Sequence, residues 1–281
     1  MILKNDIKRI QFYFSSMCFI RLFYGLGYIT MPFTLSHPAV AAFLKPWFKR
    51  GHLSVTGIVI GSMAPDFEYF LHMKMLGEFG HTFFGVFLLD LPIAILVALL
   101  FHLYIRDVLI ENLPYGLSRR FWGFRHKPWW NGTKQQSVVI LISILIGILT
   151  HIVWDAFTHK TGFMVKQLPI LQDVISISHY QIQVYKVLQH SSSLFGLALI
   201  GWIVYRLKVD SVQVAIAPFY KRCQYWLSIS AILFLFLSIW ALLNSALRFK
   251  LGHIVVATIA CSFWSVLFVS LLWRLRRQRV Q

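Results

Sequence analysis

The sequence predicts an all-α fold: a polytopic membrane bundle of about five transmembrane helices, with shorter helices ahead of them and a metal site at one membrane face. Three observations point there. Of 281 residues, 58% are hydrophobic and 13% charged, which leaves too little polar surface for an ordinary soluble domain. Several stretches stay apolar over the roughly 20 residues that cross a hydrocarbon core at about 1.5 Å rise per residue, without the period-two alternation of strands. The cations, 27 Lys and Arg against 10 Asp and Glu, gather in alternate connections. A net charge of +17 invites a nucleic-acid reading, but in a membrane protein it is the ordinary result of cationic loops on one side. The expected partner is the lipid bilayer, with no nucleic acid.

In chain order, residues 1–30 place Lys4, Lys8 and Arg9 ahead of IQFYFSSMCFIRLFYGLGYIT, an N-terminal extension or signal-anchor, although Arg21 interrupts the apolar run and no A-x-A-like cleavage site follows. The alternative, slightly favoured, is a mis-called start, since MPFTLSHPAV from Met31 begins like a complete small domain. LSVTGIVIGSMAPDF is apolar but too short to cross alone, and reads as a core or interfacial helix ended by Pro65. The spans follow at 83–105, 137 to about 154, 191–205, 225–247 and 253–273, the third needing a turn from its flanks. Residues 31–206 read as the metal-site helical domain and 207–281 as a C-terminal pair of spans with a basic tail. No internal repeat or low-complexity tract separates them, so 31–281 is treated as one unit.

Orientation follows from the cations. Arg106, Arg119, Arg120, Arg125, Lys127 and Lys134 mark the loop after the first span as cytoplasmic; Arg206, Lys208, Lys221 and Arg222 mark the loop after the third; Arg274, Arg276, Arg277 and Arg279 mark the C-terminus. The opposite connections hold only Lys160, Lys166, Lys186, Arg248 and Lys250. The NGT sequon at Asn131 falls on the cytoplasmic side and carries no glycan there. Cys18, Cys223 and Cys261 lie far apart, with neither a disulfide framework nor a thiolate zinc pattern.

On this topology His81 precedes the first span, His151 and Asp155 end the second, and His190 directly precedes the third, so all four reach the extracytoplasmic face, with His37 and Asp66 upstream able to join them. In THIVWDAFTHKTG, His151 and Asp155 are i and i+4 and share a helix face, close enough to hold one cation together. His159 drifts about 80° further at roughly 100° per residue and joins only if the helix bends or ends. Imidazole with carboxylate suits Zn²⁺, with Mn²⁺ or Fe²⁺ as alternatives, and three imidazoles with two carboxylates suffice for one or two ions. The competing reading of an HxxxD pair is an interfacial cap bonded to headgroups or backbone.

The blocks MPFTLSHPAV, GSMAPDFEYF, GHTFFG followed by LLDLP, and THIVWDAFTH, in that order from about Met31 to Arg206, resemble a bacterial multi-pass membrane-protein family of the domain-of-unknown-function class (family 4184, the MPFT-x-SHP type). The resemblance implies a bacterial cytoplasmic (inner) membrane. More distantly, the order His, Asp, His, HxxxD is similar to membrane-bound metal-dependent hydrolases of the YdjM type and to zinc-dependent phospholipases C. That resemblance maps His37, Asp66, His81, His151 and Asp155 to metal ligands, with Asp155 bridging and Asp66 also a catalytic general base. It departs further on: His159 stands at a shorter spacing than the next phospholipase ligand, and His179 with Gln183 replaces HxxxE, so a third metal is not expected. The phospholipases also ligate through a mature N-terminal amine, which residues 1–30 would preclude.

Other candidates carry less. Were 180–191 one helix, His179 and His190 would share a face, giving His190 as a ligand, against an interfacial histidine. Asp90 is ionisable inside a span, but nine residues after His81 it points away on a regular helix and reads as a packing constraint satisfied by Asn244 or His253. His52, His72, His102 and His126 have no singular spacing. The expectation is a metal-dependent hydrolase acting on a phosphoester or lipid headgroup, or on an envelope phosphoester, at the membrane surface. The alternative is a non-catalytic scaffold or assembly protein in which the cluster is a structural metal or hydrogen-bond clamp with no open position. A transporter would require charged or broken helices at the midplane, of which only Asp90 and Pro92 give a hint.

Overall fold

The computed structural model describes residues 34–177, 180–210, 216–246 and 250–278; the expectations for residues 1–30, including Cys18, and for His179 lie outside the described residues. Among the described residues five helices are long and apolar enough to cross a membrane, as in an integral membrane protein. We label the elements α1 (Val55–Gly61), α2 (Phe67–His72), α3 (Phe83–Asn112), α4 (Lys134–Thr158), β1 (Val174–Ile177), β2 (Tyr180–Gln183), α5 (Val184–Arg206), α6 (Phe219–Leu243) and α7 (Leu251–Gln278). Ahead of them Thr34–Ala42 winds as a 3-10 helix through His37. The one departure from all-helical structure among the described residues is the antiparallel pair β1–β2, in register Val174↔Gln183 to Ile177↔Tyr180, which occupies the start of the segment considered as a helix over 180–191.

The apolar stretch before Pro65 forms α1, started by Ser54, whose side chain accepts from Gly57 N, and ended at Ser62. It is too short to span and buries itself instead. Gly57 and Gly61, one turn apart, lie against α4: a Cβ on Gly61 would stand 2.3 Å from the Ile144 carbonyl oxygen, and one on Gly147 would stand 2.6 Å from the Ile58 carbonyl oxygen. Three glycines thus let two backbones touch, the small-residue contact by which helices associate where lipid offers no hydrophobic gain. The core around that contact is Ile60, Ala64, Ala94, Ala98, Ile140, Ile144 and Ile148. The α6–α7 hairpin docks on the far end of α3 through Val108, Tyr225, Ile229 and Val269, with Tyr225 Oη and Ser270 Oγ 2.8 Å apart. Outward-facing Phe234, Leu242 and Leu243 are largely exposed, as lipid-facing side chains should be.

At one end of the bundle the cationic connections meet. Arg119 donates twice to the Asp210 carbonyl, at 3.0 and 2.9 Å, and Arg120 bonds the carbonyls of Tyr205 and Leu207, which ties the loop after α3 to the one after α5. His102 there stacks on Trp129, with centroids 5.1 Å apart, and bonds Thr56 Oγ1 at 3.0 Å, a structural role.

Candidate metal centre

The opposite end of α4 carries the site. Ile140, Ile144, Ile148, His151 and Asp155 share its buried face at spacings of three and four, so the face that packs on α1 delivers a histidine and an aspartate as it emerges. Asp66 ends the turn Ala64–Asp66 that leads from α1 into α2, and His81 sits in the turn before α3, where Thr82 caps the helix by accepting from Gly85 N at 3.0 Å. His37 comes from the 3-10 segment, which α5 accommodates because a Cβ on Gly196 would fall 2.9 Å from the Ser36 carbonyl oxygen.

Four side chains meet. Asp66, His81, His151 and Asp155 each offer one ligand atom, all within 4.8 Å of one another. His151 Nε2 lies 3.2 Å from Asp155 Oδ2 and 3.6 Å from Asp66 Oδ1, and His81 Nε2 lies 3.6 and 4.0 Å from the same two oxygens. Two ligands held about 2.1 Å from a tetrahedral ion stand about 3.4 Å apart. The four separations therefore bracket that value, and three of them exceed the usual length of an N–H···O hydrogen bond, His151 to Asp155 at 3.2 Å lying at its upper end. On the other oxygen of Asp155, His37 Nε2 stands 3.7 Å from Oδ1, its ring stacked on His151 at 4.0 Å between centroids. One carboxylate thus faces histidines on both sides. Helix α4 ends at Thr158, so His159 does turn back: its Nδ1 is 3.4 Å from Asp155 Oδ2, but also 3.3 Å from the Asp155 backbone carbonyl. His190, buried near the start of α5, is not in the group of four.

These residues fit a divalent ion. His37 Nε2, His151 Nε2 and Asp155 Oδ1 are buried without a hydrogen-bond partner among the described residues, a costly condition that a cation would relieve. His151 Nδ1 lies 2.8 Å from the Ser62 carbonyl, so that nitrogen carries a proton and Nε2 is the ring atom that faces the site. Thr34 Oγ1 donates to Asp66 Oδ2 at 2.5 Å, orienting Oδ1 inward. Burial, reinforced by the neighbouring His151, pushes His37 down to about 3, which keeps it neutral and ready to ligate. Burial likewise raises Asp66 above the usual carboxylate range, although His151 pulls the other way. His81 is the open side, with its side chain 32% exposed where its partners are under 10%. Tyr69 stands beside it, ring centroids 6.3 Å apart, with its phenol pushed up to about 12, first by burial and then by Asp66, and so remains a hydrogen-bond donor.

One residue that supports the site was not singled out in the sequence. Glu68, also buried, accepts from the backbone N–H groups of Glu78 (3.1 Å), Phe79 (3.0 Å) and Gly80 (2.8 Å), clamping the loop that presents His81. Burial raises its pKa, but those three donors outweigh it and hold the carboxyl below its usual value. Asp90 differs from expectation. It is fully buried with neither oxygen hydrogen-bonded, while Asn244 bonds the Trp240 carbonyl and His253 Nδ1 accepts from Met75 N. Its Oδ1 lies 3.1 Å from where a Cβ of Gly80 would be, beside the His81 loop. On a regular helix Asp90 would point away from His81, but His81 lies outside the helix and Val86–Asp90 is a π turn, which breaks the step of 100° per residue.

The family described as Domain of unknown function (DUF4184) matches residues 31–271, so the chain belongs to that family, and the match continues past Arg206 through α6 and into α7 as far as Leu271. No curated protein and no solved structure matches the chain.

Proposed function

We propose that this DUF4184 family member is a membrane-embedded, zinc-type metal-dependent hydrolase that acts on a phosphoester or lipid headgroup at the membrane surface. The observation that carries the reading is the set of four ligand atoms from three separate segments, within 4.8 Å of one another, with one side open at His81. In this reading His81, His151, Asp66 and Asp155 hold the ion, and Asp155 with His37 offers a second position. When bound, a divalent ion supplies Lewis-acid polarisation and acidifies water. The protein's own residues do the rest: Thr34 and Ser62 fix two ligands, Glu68 fixes the loop of a third, Asp66 serves as general base, and Tyr69 donates a hydrogen bond at the open rim. The charge bias supports an orientation with the Arg119 end in the cytoplasm and the site on the outer face of a bacterial cytoplasmic membrane.

Burial of three of the four ligands favours one competing reading, a structural clamp that pins α1, α3 and α4 together. Metal analysis of the purified protein, followed by turnover of a chromogenic phosphodiester after loading with Zn²⁺, Mn²⁺ or Fe²⁺, separates the two. Stoichiometric metal with turnover abolished by His81→Ala supports the hydrolase. Stoichiometric metal with no turnover on diester, monoester or phospholipid substrates supports the clamp, and absence of metal ends both metal readings.

A further inference from the structure

We propose that the groove between α6 and α7 seats one anionic phospholipid, its acyl chain along Phe236, Trp240, Trp264 and Leu267 and its phosphate at Lys74. The groove has a volume of about 610 Å³, within the range of specific small-molecule sites, and its walls are almost wholly apolar. Its mouth is not. Leu71, His72, Met73 and Lys74 close one end, held there by Trp240 Nε1 donating to the Met73 carbonyl at 3.0 Å and by Met75 N donating to His253 Nδ1 at 3.0 Å. A Cβ on Gly252 would lie 2.0 Å from Met75 Sδ, so the start of α7 leaves space for that loop to dock.

An apolar slot closed by a lysine complements a molecule that is chain at one end and anion at the other. Lipid-facing helix surfaces meet chains of every kind, but a cation fixed at the end of such a slot selects a headgroup. The position of that cation strengthens the case. Residues 71–74 lie on the segment joining Asp66 to His81, so the same stretch of chain that supplies two candidate metal ligands forms the mouth of the groove. Lys74, with Lys250 also near His253, is among the few cations at this end, since most Lys and Arg residues belong to the opposite end of the bundle. The inference does not depend on catalysis: the groove binds lipid whether or not the metal centre turns over.

Native mass spectrometry of the detergent-solubilised full chain, with phosphatidylglycerol or phosphatidylcholine of identical acyl chains, tests it. One phosphatidylglycerol should be retained per protein, about fivefold in preference to phosphatidylcholine, the effect of one lysine near an anionic headgroup. Lys74→Glu should abolish the preference while leaving chain binding, and Leu267→Trp should fill the groove and abolish retention of both lipids. Melting temperature of each variant, measured alongside, reports whether the bundle remains intact. Equal retention of the two lipids by the native protein, unchanged retention in Leu267→Trp, displacement by glycerol phosphate as readily as by lipid, or a dimer in place of a lipid adduct would each overturn the proposal.

Discussion

His151 directs Nδ1 at the Ser62 carbonyl oxygen, 2.8 Å away, across a helix contact that three glycines make possible. A backbone carbonyl only accepts, so it assigns the imidazole proton and leaves the opposite nitrogen for the site. His151→Ala should therefore remove a ligand and lower metal affinity by more than about 100-fold, beyond the 10- to 100-fold cost of losing an outer-shell partner. Asp155→Asn should do the same, because that carboxylate faces both His37 and His151. Metal stoichiometry after dialysis against a graded chelator checks both; full metal in the two variants would mean that the ion, if any, binds elsewhere.

Thr34 offers a milder test. Thr34→Val keeps the shape and loses the 2.5 Å bond to Asp66 Oδ2. Metal affinity should fall about 10- to 100-fold with the fold intact, and Thr34→Ser should restore most of it.

How much of this was legible in the sequence differs by element. The spans were plain because lipid demands long apolar runs, and HxxxD was plain because i and i+4 share a face whatever surrounds them. That His37, Asp66 and His81 can reach the face of that pair was inferable from their positions at segment edges, while their reading as one ligand set came through a resemblance. Glu68 was hidden because its partners are backbone amides, which leave no trace in side-chain identity. Asp90 was misplaced because a π turn has no clear sequence signature. The β1–β2 hairpin was missed because Ile175 and Ile182 face each other across four-residue strands too short to show a period.

Glu68 should prove a positioning residue. Glu68→Gln replaces one acceptor oxygen with an amide that also donates, and it meets three N–H groups that already donate. At least one backbone donor loses its partner, and where that donor is Gly80 N, the buried one of the three, the cost is about 1–3 kcal/mol. The expected result is lower metal affinity with slower kcat but unchanged KM on a diester, since the substrate does not touch Glu68. A variant with lower melting temperature and unaltered metal affinity would reduce Glu68 to a fold determinant.

The pH dependence follows from Asp66. Burial raises its pKa, so in the ion-free protein it contributes stability that is complete below its unfolded value of 3.8 and is lost as pH rises through the raised value. An ion reverses the sign, since the carboxylate must lose its proton to ligate. The difference in melting temperature between metal-loaded and chelator-treated protein should therefore widen as pH rises from the acid range toward neutrality. Melting curves at a series of pH values decide the matter, and a gap independent of pH would remove Asp66 from the site.

The last prediction concerns the contact that carries the geometry. A Cβ on Gly61 would meet the backbone of Ile144 at 2.3 Å, and because that neighbour is main chain inside a helix it cannot swing aside. Gly61→Val should force α1 away from α4, at a cost of roughly 1–3 kcal/mol or more for overpacking. The displacement carries the Ser62 carbonyl away from His151 and shifts Asp66, which follows within five residues, so metal should be lost together with stability. Gly201→Ala on α5 is the control: nothing lies within 4 Å of its Cβ, and alanine is favoured over glycine in a helix by about 1 kcal/mol, so stability and metal content should hold or rise. Melting temperature and metal content measured on both variants separate the two effects. Should Gly61→Val destabilise the bundle yet retain its metal, the α1–α4 contact would be a fold determinant with no part in presenting His151.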